Sequence, residues 1–447
     1  MSADSLASSV RPADGRDRVR ALQRVLYRSA KQDSERRFHA LFDKVARSDV
    51  MWRAWNDVRA NKGAPGVDGI SIEDVEQSGV LAFLEELAAE LRSGRYRPRP
   101  LRRVHIPKPG RPGQTRPLGI PTVADRVVMA AARIVLEPVF EADFLASSFG
   151  FRPKRSAHMA VEAIRVAANQ RNDWVLDADI KACFDEIDHD ALMAEVGRRV
   201  IDRQMLKLLR CWLRAGIFEG GVITNPGEGT PQGSPISPLL ANIALHRLDQ
   251  ALRNENRLTG TLVRYADDFV VLCLTVEGAK EAQRRAAMVL GELGLRLSPE
   301  KTRIVELTRG KEGFDFLGFH MHKVESWKWR GKFYLQRWPS ARAMNSVRAK
   351  IRALTNRRYA GLDLAAIVER LNPMIRGWGN YFRIGNCARK FHQIDAYLHE
   401  RLAILAADKH QRSGRRWVAD YNWAWFQRLG VHTLGGSVRY GNAHAPR

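Results

Sequence analysis

Between residues 174 and 307 the spacing of apolar residues alternates between two and about 3.6, the periods of a strand and of a helix. Residues 174–180 read as a strand, 190–213 as helix, 262–265 and 269–274 as the arms of a hairpin, 279–293 as helix and 302–307 as a strand. This β-α-β-β-α-β order is a split βαβ, ferredoxin-like α+β arrangement, with one further helix, at about 238–252, ahead of the hairpin. In that topology the first strand and the hairpin lie side by side at the sheet centre. Acidic residues on them are therefore expected to converge.

Alternation along 174–180 sets Val175, Asp177 and Asp179 on the face opposite Trp174, Leu176, Ala178 and Ile180. Carboxylates on an otherwise apolar strand are costly unless they meet cations or water. In the hairpin, Asp267 and Asp268 follow Tyr265-Ala266 and precede Phe269-Val270-Val271-Leu272. An Asp pair is also ordinary turn chemistry, although the Gly that two-residue hairpin turns favour is missing. One acid from the first strand and two from the hairpin make an all-oxygen set suited to two Mg²⁺ ions. Such ions activate an attacking hydroxyl and stabilise a leaving phosphate, as nucleotide addition requires. Adjacent strand residues face opposite ways, so Asp267 and Asp268 are not expected to be equal ligands, and Asp267 is expected to be the shared one.

Charge says what such chemistry would act on. The 447 residues carry a net +24, and residues 321–447 hold 24 Lys/Arg against seven Asp/Glu, so +17 of that excess lies in the last third. A polyanion is the expected partner. No apolar run approaches the length of a membrane span, so no membrane is expected as a partner. Cys183, Cys211, Cys273 and Cys387 are too scattered for a disulfide framework or a CxxC zinc site, which points to the cytosol. Residues 1–32 lack an apolar signal core.

Elsewhere the pattern is coarser. Residues 18–28 and 36–58 read as helices, the Gly63-Ala64-Pro65-Gly66 cluster breaks the chain, another helix spans 72–91, and the Pro-rich basic stretch 96–121 reads as an extended ribbon. Beyond Phe319 the composition shifts to Arg, Lys and Trp, with seven of the eleven Trp, and helical spacing returns at 341–354 and 364–375, the latter interrupted by Gly377 and Gly379. A boundary is expected between 310 and 330.

Tyr265-Ala266-Asp267-Asp268 resembles the polymerase signature of reverse transcriptases, and it stands in a series that follows the family's order. Asn61-Lys62-Gly63-Ala64-Pro65-Gly66-Val67-Asp68-Gly69 comes first, then Ile106-Pro107-Lys108-Pro109, Arg116-Pro117-Leu118-Gly119-Ile120-Pro121 and Phe149-Gly150-Phe151-Arg152-Pro153. Asp177-Ala178-Asp179-Ile180-Lys181, Thr230-Pro231-Gln232-Gly233-Ser234-Pro235, Ser298-Pro299-Glu300-Lys301-Thr302 and Phe316-Leu317-Gly318-Phe319 complete it. Leu371-Asn372-Pro373 and Arg376-Gly377-Trp378-Gly379-Asn380-Tyr381-Phe382 narrow the resemblance to the group II intron-encoded reverse transcriptase/maturase family, where they look like the thumb, or maturase X domain.

The resemblance implies a right-hand polymerase: an N-terminal extension and fingers over 1–150, a ferredoxin-like palm over 151–320, a helical thumb/X domain over 321–394 and a basic DNA-binding extension over 395–447. It implies catalytic metal binding by Asp179, the backbone carbonyl of Ile180, Asp267 and Asp268, with dNTP substrates. Lys108 and Arg116 match residues that hold the triphosphate, Phe184 the steric gate against a ribose 2′-hydroxyl, Gln232 the lining of the nucleotide pocket, and Lys301 a lysine beside the pyrophosphate. Phe184 also suits plain core packing, and Lys108, Arg116 and Lys301 also suit a solvated surface. Implied partners are group II intron RNA, an RNA template with a DNA or RNA primer, and target DNA, in a bacterial cytoplasm near the nucleoid. Longer members carry a Cys/His-rich nuclease domain that has no counterpart here, so no autonomous second-strand cleavage is expected. Alternatives are a stand-alone enzyme recruited to defence, spacer acquisition or repair, and a catalytically idle RNA-binding maturase.

Overall fold

A computed structural model of the chain describes residues 15–107, 113–219, 222–224, 229, 233–253, 260–410 and 421–439. Lys108 and Gln232, with Arg412, Arg415, Arg416 and Trp417 of the basic C-terminal segment, lie outside the described residues. Eleven strands are present among the described residues: β1 (Leu101–Pro107), β2 (Thr115–Ile120), β3 (Trp174–Asp179), β4 (Ile217–Glu219), β5 (Val222–Thr224), β6 (Thr261–Tyr265), β7 (Asp268–Cys273), β8 (Arg303–Glu306), β9 (Gly313–Phe316), β10 (Phe319–Glu325) and β11 (Phe333–Pro339).

They form three sheets, ordered β2-β1-β4-β5, β6-β7-β3-β8 and β11-β10-β9. In the second, β3 and β7 are central and antiparallel, with Val175 opposite Leu272 and Asp179 opposite Asp268. Period-two alternation places Leu176, Ala178, Phe269 and Val271 in one hydrophobic core and Val175, Val270, Leu272 and Val305 in another, on the opposite face. Burying each such Val, Leu or Phe side chain contributes about 1.5–3 kcal/mol. The sheet is thus sandwiched, and its charged residues other than Asp177 sit at strand ends or on edge strands.

The first core also takes the helices Ser48–Ala60 and Val123–Glu141 and the second takes Ala341–Leu354, Leu364–Phe382 and Ala388–Lys409. Residue 320 falls inside β10 and residue 395 inside the Ala388–Lys409 helix.

Several predicted helices are corrected. The 36–58 stretch divides into Phe42–Val45 and Ser48–Ala60, because Phe38 leaves the helix to bridge Val200 and the Asp202 carboxylate accepts the N–H groups of Leu41 and Phe42 at 2.8 Å each. The 190–213 stretch likewise divides before Arg203, where the same Asp202 caps the second helix through Gln204 N and Met205 N. The 72–91 stretch breaks at Gly79, whose φ of 103° no helix accommodates. Conversely, Gly377 and Gly379 interrupt nothing, and the helix Leu364–Phe382 runs through them. Gly379 is a seat, since a Cβ there would stand 2.4 Å from Leu434 Cδ2.

Candidate active site

The β6–β7 hairpin turns through Ala266 and Asp267, with Ala266 in the left-handed region at φ 58°. Such a φ costs a non-glycine residue roughly 1–3 kcal/mol, so the turn must be held by its surroundings. Gly150 presses on it from one side, where a Cβ would lie 2.3 Å from Ala266 N. The segment before Gly150 is tied to β6 by Phe149 N–H donating to Arg264 O (2.9 Å) and Arg264 N–H donating to Ser147 O (2.8 Å).

A buried polar network holds the other side, and the sequence patterns did not reveal it. Arg264 and Asp249 are both fully buried and form a two-pronged ion pair, Nε to Oδ1 at 2.7 Å and Nη2 to Oδ2 at 2.6 Å. The remaining Arg264 donors reach the Ala266 carbonyl (2.9 Å), Asn242 Oδ1 (3.0 Å) and Ser148 Oγ (2.9 Å). Asn242 in turn donates to the Gly150 carbonyl at 2.9 Å. The one available signal was a lone Arg at an inward position of an apolar strand, which a buried acid must neutralise.

The acids meet at the end of this hairpin. Asp179 and Asp268 are cross-strand partners and share the sheet face of Val175, Val270 and Leu272, while Asp267 precedes Asp268 in the turn. Lys301 Nζ donates to Asp179 Oδ2 at 2.6 Å. Burial, then the charges of Asp267 and Asp179, push the Asp268 carboxyl up to about 7. Burial also raises Asp267, helped by Asp179 and opposed by its own backbone N–H, Arg116 and Lys301. Asp177, two residues back, pairs instead with Arg303 across β3 and β8 at 3.3 Å, and burial pushes its carboxyl up to about 6.

Three hard oxygen donors that repel one another in a half-buried site have the chemistry a divalent cation relieves. No three Asp, Glu, His or Cys side chains among the described residues are gathered into a metal cage. Coordination would require Asp179 to exchange Lys301 for the ion.

The other predicted residues lie around this end of the sheet. Ile180 is buried and bridges Leu297, but the bridge runs through Lys181 N–H and the Asp179 carbonyl, so it does not consume the Ile180 carbonyl. Phe184 is half-buried in the short helix Cys183–Glu186 that follows, packed against the first core. Arg116 is exposed on β2 and close enough to act electrostatically on Asp267. Gly233, at φ 105°, packs on Leu118 and the Gly119 carbonyl, so the Pro-Gln-Gly block reaches its described end against the strand that carries Arg116. Behind the sheet, the Leu317-Gly318 turn between β9 and β10 docks on the Leu364–Phe382 helix, with Tyr381 Oη donating to the Leu317 carbonyl at 2.8 Å.

Comparison with known proteins agrees with this architecture. Residues 106–321 match the family model described as reverse transcriptase (RNA-dependent DNA polymerase), and residues 344–423 match that of the group II intron, maturase-specific domain. The chain is 34% identical over 347 residues to protein YkfC of Escherichia coli (strain K12), covering 69% of this chain and 89% of that one. It is 35% identical over 364 residues to the group II intron-encoded protein LtrA of Lactococcus lactis subsp. cremoris, covering 67% of this chain and 59% of LtrA. Among solved structures, a partial Cas6-RT-Cas1–Cas2 complex aligns at 26% identity and a TM-score of 0.37, over 56% of this chain and 41% of that one. With a polymerase domain followed by a maturase-specific domain, the chain belongs to the group II intron type of reverse transcriptases, the RNA-directed DNA polymerases.

Proposed function

We propose that the chain binds the RNA of a group II intron, assists its splicing, and copies it into DNA during retromobility by two-metal nucleotidyl transfer. The observation that carries this reading is the pairing of Asp179 with Asp268 across β3 and β7, with Asp267 in the adjoining turn and Lys301 on Asp179. Asp179, Asp267 and the Ile180 carbonyl would hold Mg²⁺, with Asp268 as the secondary acid. Two bound ions would supply activation of the primer 3′-hydroxyl and stabilisation of the departing pyrophosphate.

The chain's own residues do the positioning. Arg116 on β2 lies near enough to act on the Asp267 charge, and its guanidinium would bind phosphate oxygens through paired N–H donors. The family resemblance assigns Lys108 to the triphosphate as well, and Gln232 to the nucleotide pocket. Phe184 sets its ring against the ribose, where a 2′-hydroxyl finds no room. Lys301 exchanges Asp179 for a phosphate oxygen and protonates the leaving group. The basic last third engages intron RNA and target DNA.

Primer extension on an RNA template, run beside a splicing assay, tests both halves. Asp267→Ala ought to lower extension by about 10²–10³-fold, the scale of removing one preorganised electrostatic group, while splicing persists. Extension unaffected by Asp267→Ala would sink the assignment of the site. A flanking sequence with no intron ribozyme would remove the splicing half and leave a stand-alone polymerase.

A further inference from the structure

The β10–β11 hairpin ends in Ser326-Trp327-Lys328-Trp329-Arg330-Gly331-Lys332, which the polymerase site does not use. The tip stands a strand's length, roughly 20 Å at about 3.3 Å per residue, from the Leu317-Gly318 turn that docks on the C-terminal helices. Trp327 is 96% exposed and Trp329 51%, whereas the other described Trp residues are buried or half-buried.

These rings are presented by an ordered turn. The ladder is unbroken from Phe319–Pro339 to Glu325–Phe333, and Ser326 N–H closes it on the Lys332 carbonyl at 2.8 Å. Ser326 Oγ accepts the N–H groups of Lys328 and Trp329 at 3.3 Å each, and Glu325 accepts the N–H of Gly331 at 2.7 Å. Gly331, at φ 76°, supplies the left-handed residue that the reversal needs. Lys328 Nζ and Lys332 Nζ lie 5.0 and 5.7 Å from the Trp329 ring centre.

Exposed aromatic rings beside cations suit unpaired nucleotides, whose bases offer a free π-face and whose phosphates need neutralising. A duplex hides its base faces in its own stack. A protein partner would favour an apolar patch depleted of lysine rather than one surrounded by it.

We propose that the β10–β11 tip is a stacking site for unpaired nucleotides of bound RNA, with Trp327 and Trp329 taking base faces and Lys328, Arg330 and Lys332 the adjoining phosphates. This rests on the RNA-binding part of the proposed function.

The full chain is titrated with an unstructured mixed-sequence RNA and with the same sequence annealed to its complement, across a range of salt. The double variant Trp327→Ala/Trp329→Ala is expected to weaken single-strand binding by at least about 5–150-fold, the range for a single stacked base, with an unchanged salt slope and duplex affinity altered by less than about twofold. Lys328→Gln/Lys332→Gln is expected to flatten the single-strand salt slope by about 1.4, at about 0.7 per phosphate contact. The proposal is overturned if the Trp variant binds the single strand as the unaltered chain does, or loses single strand and duplex equally. It is overturned too if the substitutions act on self-association or on binding to phosphatidylserine vesicles instead. An unaltered chain that binds neither RNA would refute the RNA-binding reading itself.

Discussion

Phe184 follows β3 by five residues, and its ring is half-buried on the first core. Packing of this kind suits the proposed gate, because a gate must be braced to exclude a hydroxyl. Phe184→Val removes the far part of the ring while keeping the β-carbon packing, and ought to raise ribonucleotide incorporation relative to deoxynucleotide by about 10–100-fold, the discrimination a few apolar carbons provide. Single-nucleotide extension with paired rNTP and dNTP substrates measures it, and an unaltered ratio would leave Phe184 a core residue only.

Cysteine chemistry separates by the same local logic. Burial pushes the Cys183 thiol up to about 12, with the Asp267 charge adding to it, and burial alone pushes Cys273 to about 12. Cys387 rises to about 11, again through burial. A raised thiol pKa means less thiolate at any pH below it, and thiolate is the reactive form. Iodoacetamide at pH 8 should therefore modify Cys211, the one cysteine that is not buried, well before the other three. Peptide mapping of native and unfolded protein checks the order, and early labelling of Cys183 would contradict the packing around the site.

Among elements, the β6–β7 hairpin depends most on what lies outside it. Its turn holds a positive-φ alanine, and the Arg264 guanidinium spans Asp249, Asn242, Ser148 and the Ala266 carbonyl. Removing one partner of a buried ion pair leaves an uncompensated charge, at a cost of about 3–5 kcal/mol. Arg264→Leu should lower stability by that amount in denaturant unfolding. Loss of extension activity should appear at denaturant concentrations where the variant is still folded, because the freed turn carries Asp267. Full activity with full stability would mean that the network holds nothing.

The helices show the limits of reading elements from spacing. The 341–354 expectation coincides with the observed helix, and the hairpin arms are correct to within a residue or two. Errors collect where a distant side chain intervenes. Asp202 interrupts the predicted 36–58 helix from about 160 residues away in sequence, and Leu434 turns Gly379 from a breaker into a packing position. No window of local sequence contains those partners.

For the molecule as a whole, charge asymmetry sets the expected behaviour. With +17 of the net charge beyond residue 320, binding to single-stranded RNA should weaken steeply with salt, by about 0.7 in log–log slope for each phosphate neutralised. Arg412→Gln/Arg415→Gln/Arg416→Gln ought to flatten that slope while leaving primer extension on a short template. Anisotropy titrations across a range of salt measure it, and a slope near zero in the full chain would refute the basic-surface reading. Among the described residues no helix is long and apolar enough to cross a membrane.

The order of strands and helices between residues 174 and 307, the convergence of Asp179 with the Asp267-Asp268 hairpin, and the location of excess charge were legible in the linear chain, because period, residue type and motif order are properties of neighbours. Tertiary structure alone decided that Asp268 is the acid opposite Asp179, that Lys301 rests on Asp179, and that Arg264 and Gly150 clamp the turn between them. Two of those four relations, Lys301 with Asp179 and Gly150 with the turn, join residues more than a hundred positions apart. They exist only once burial makes an unpaired charge or an intruding Cβ too costly to keep.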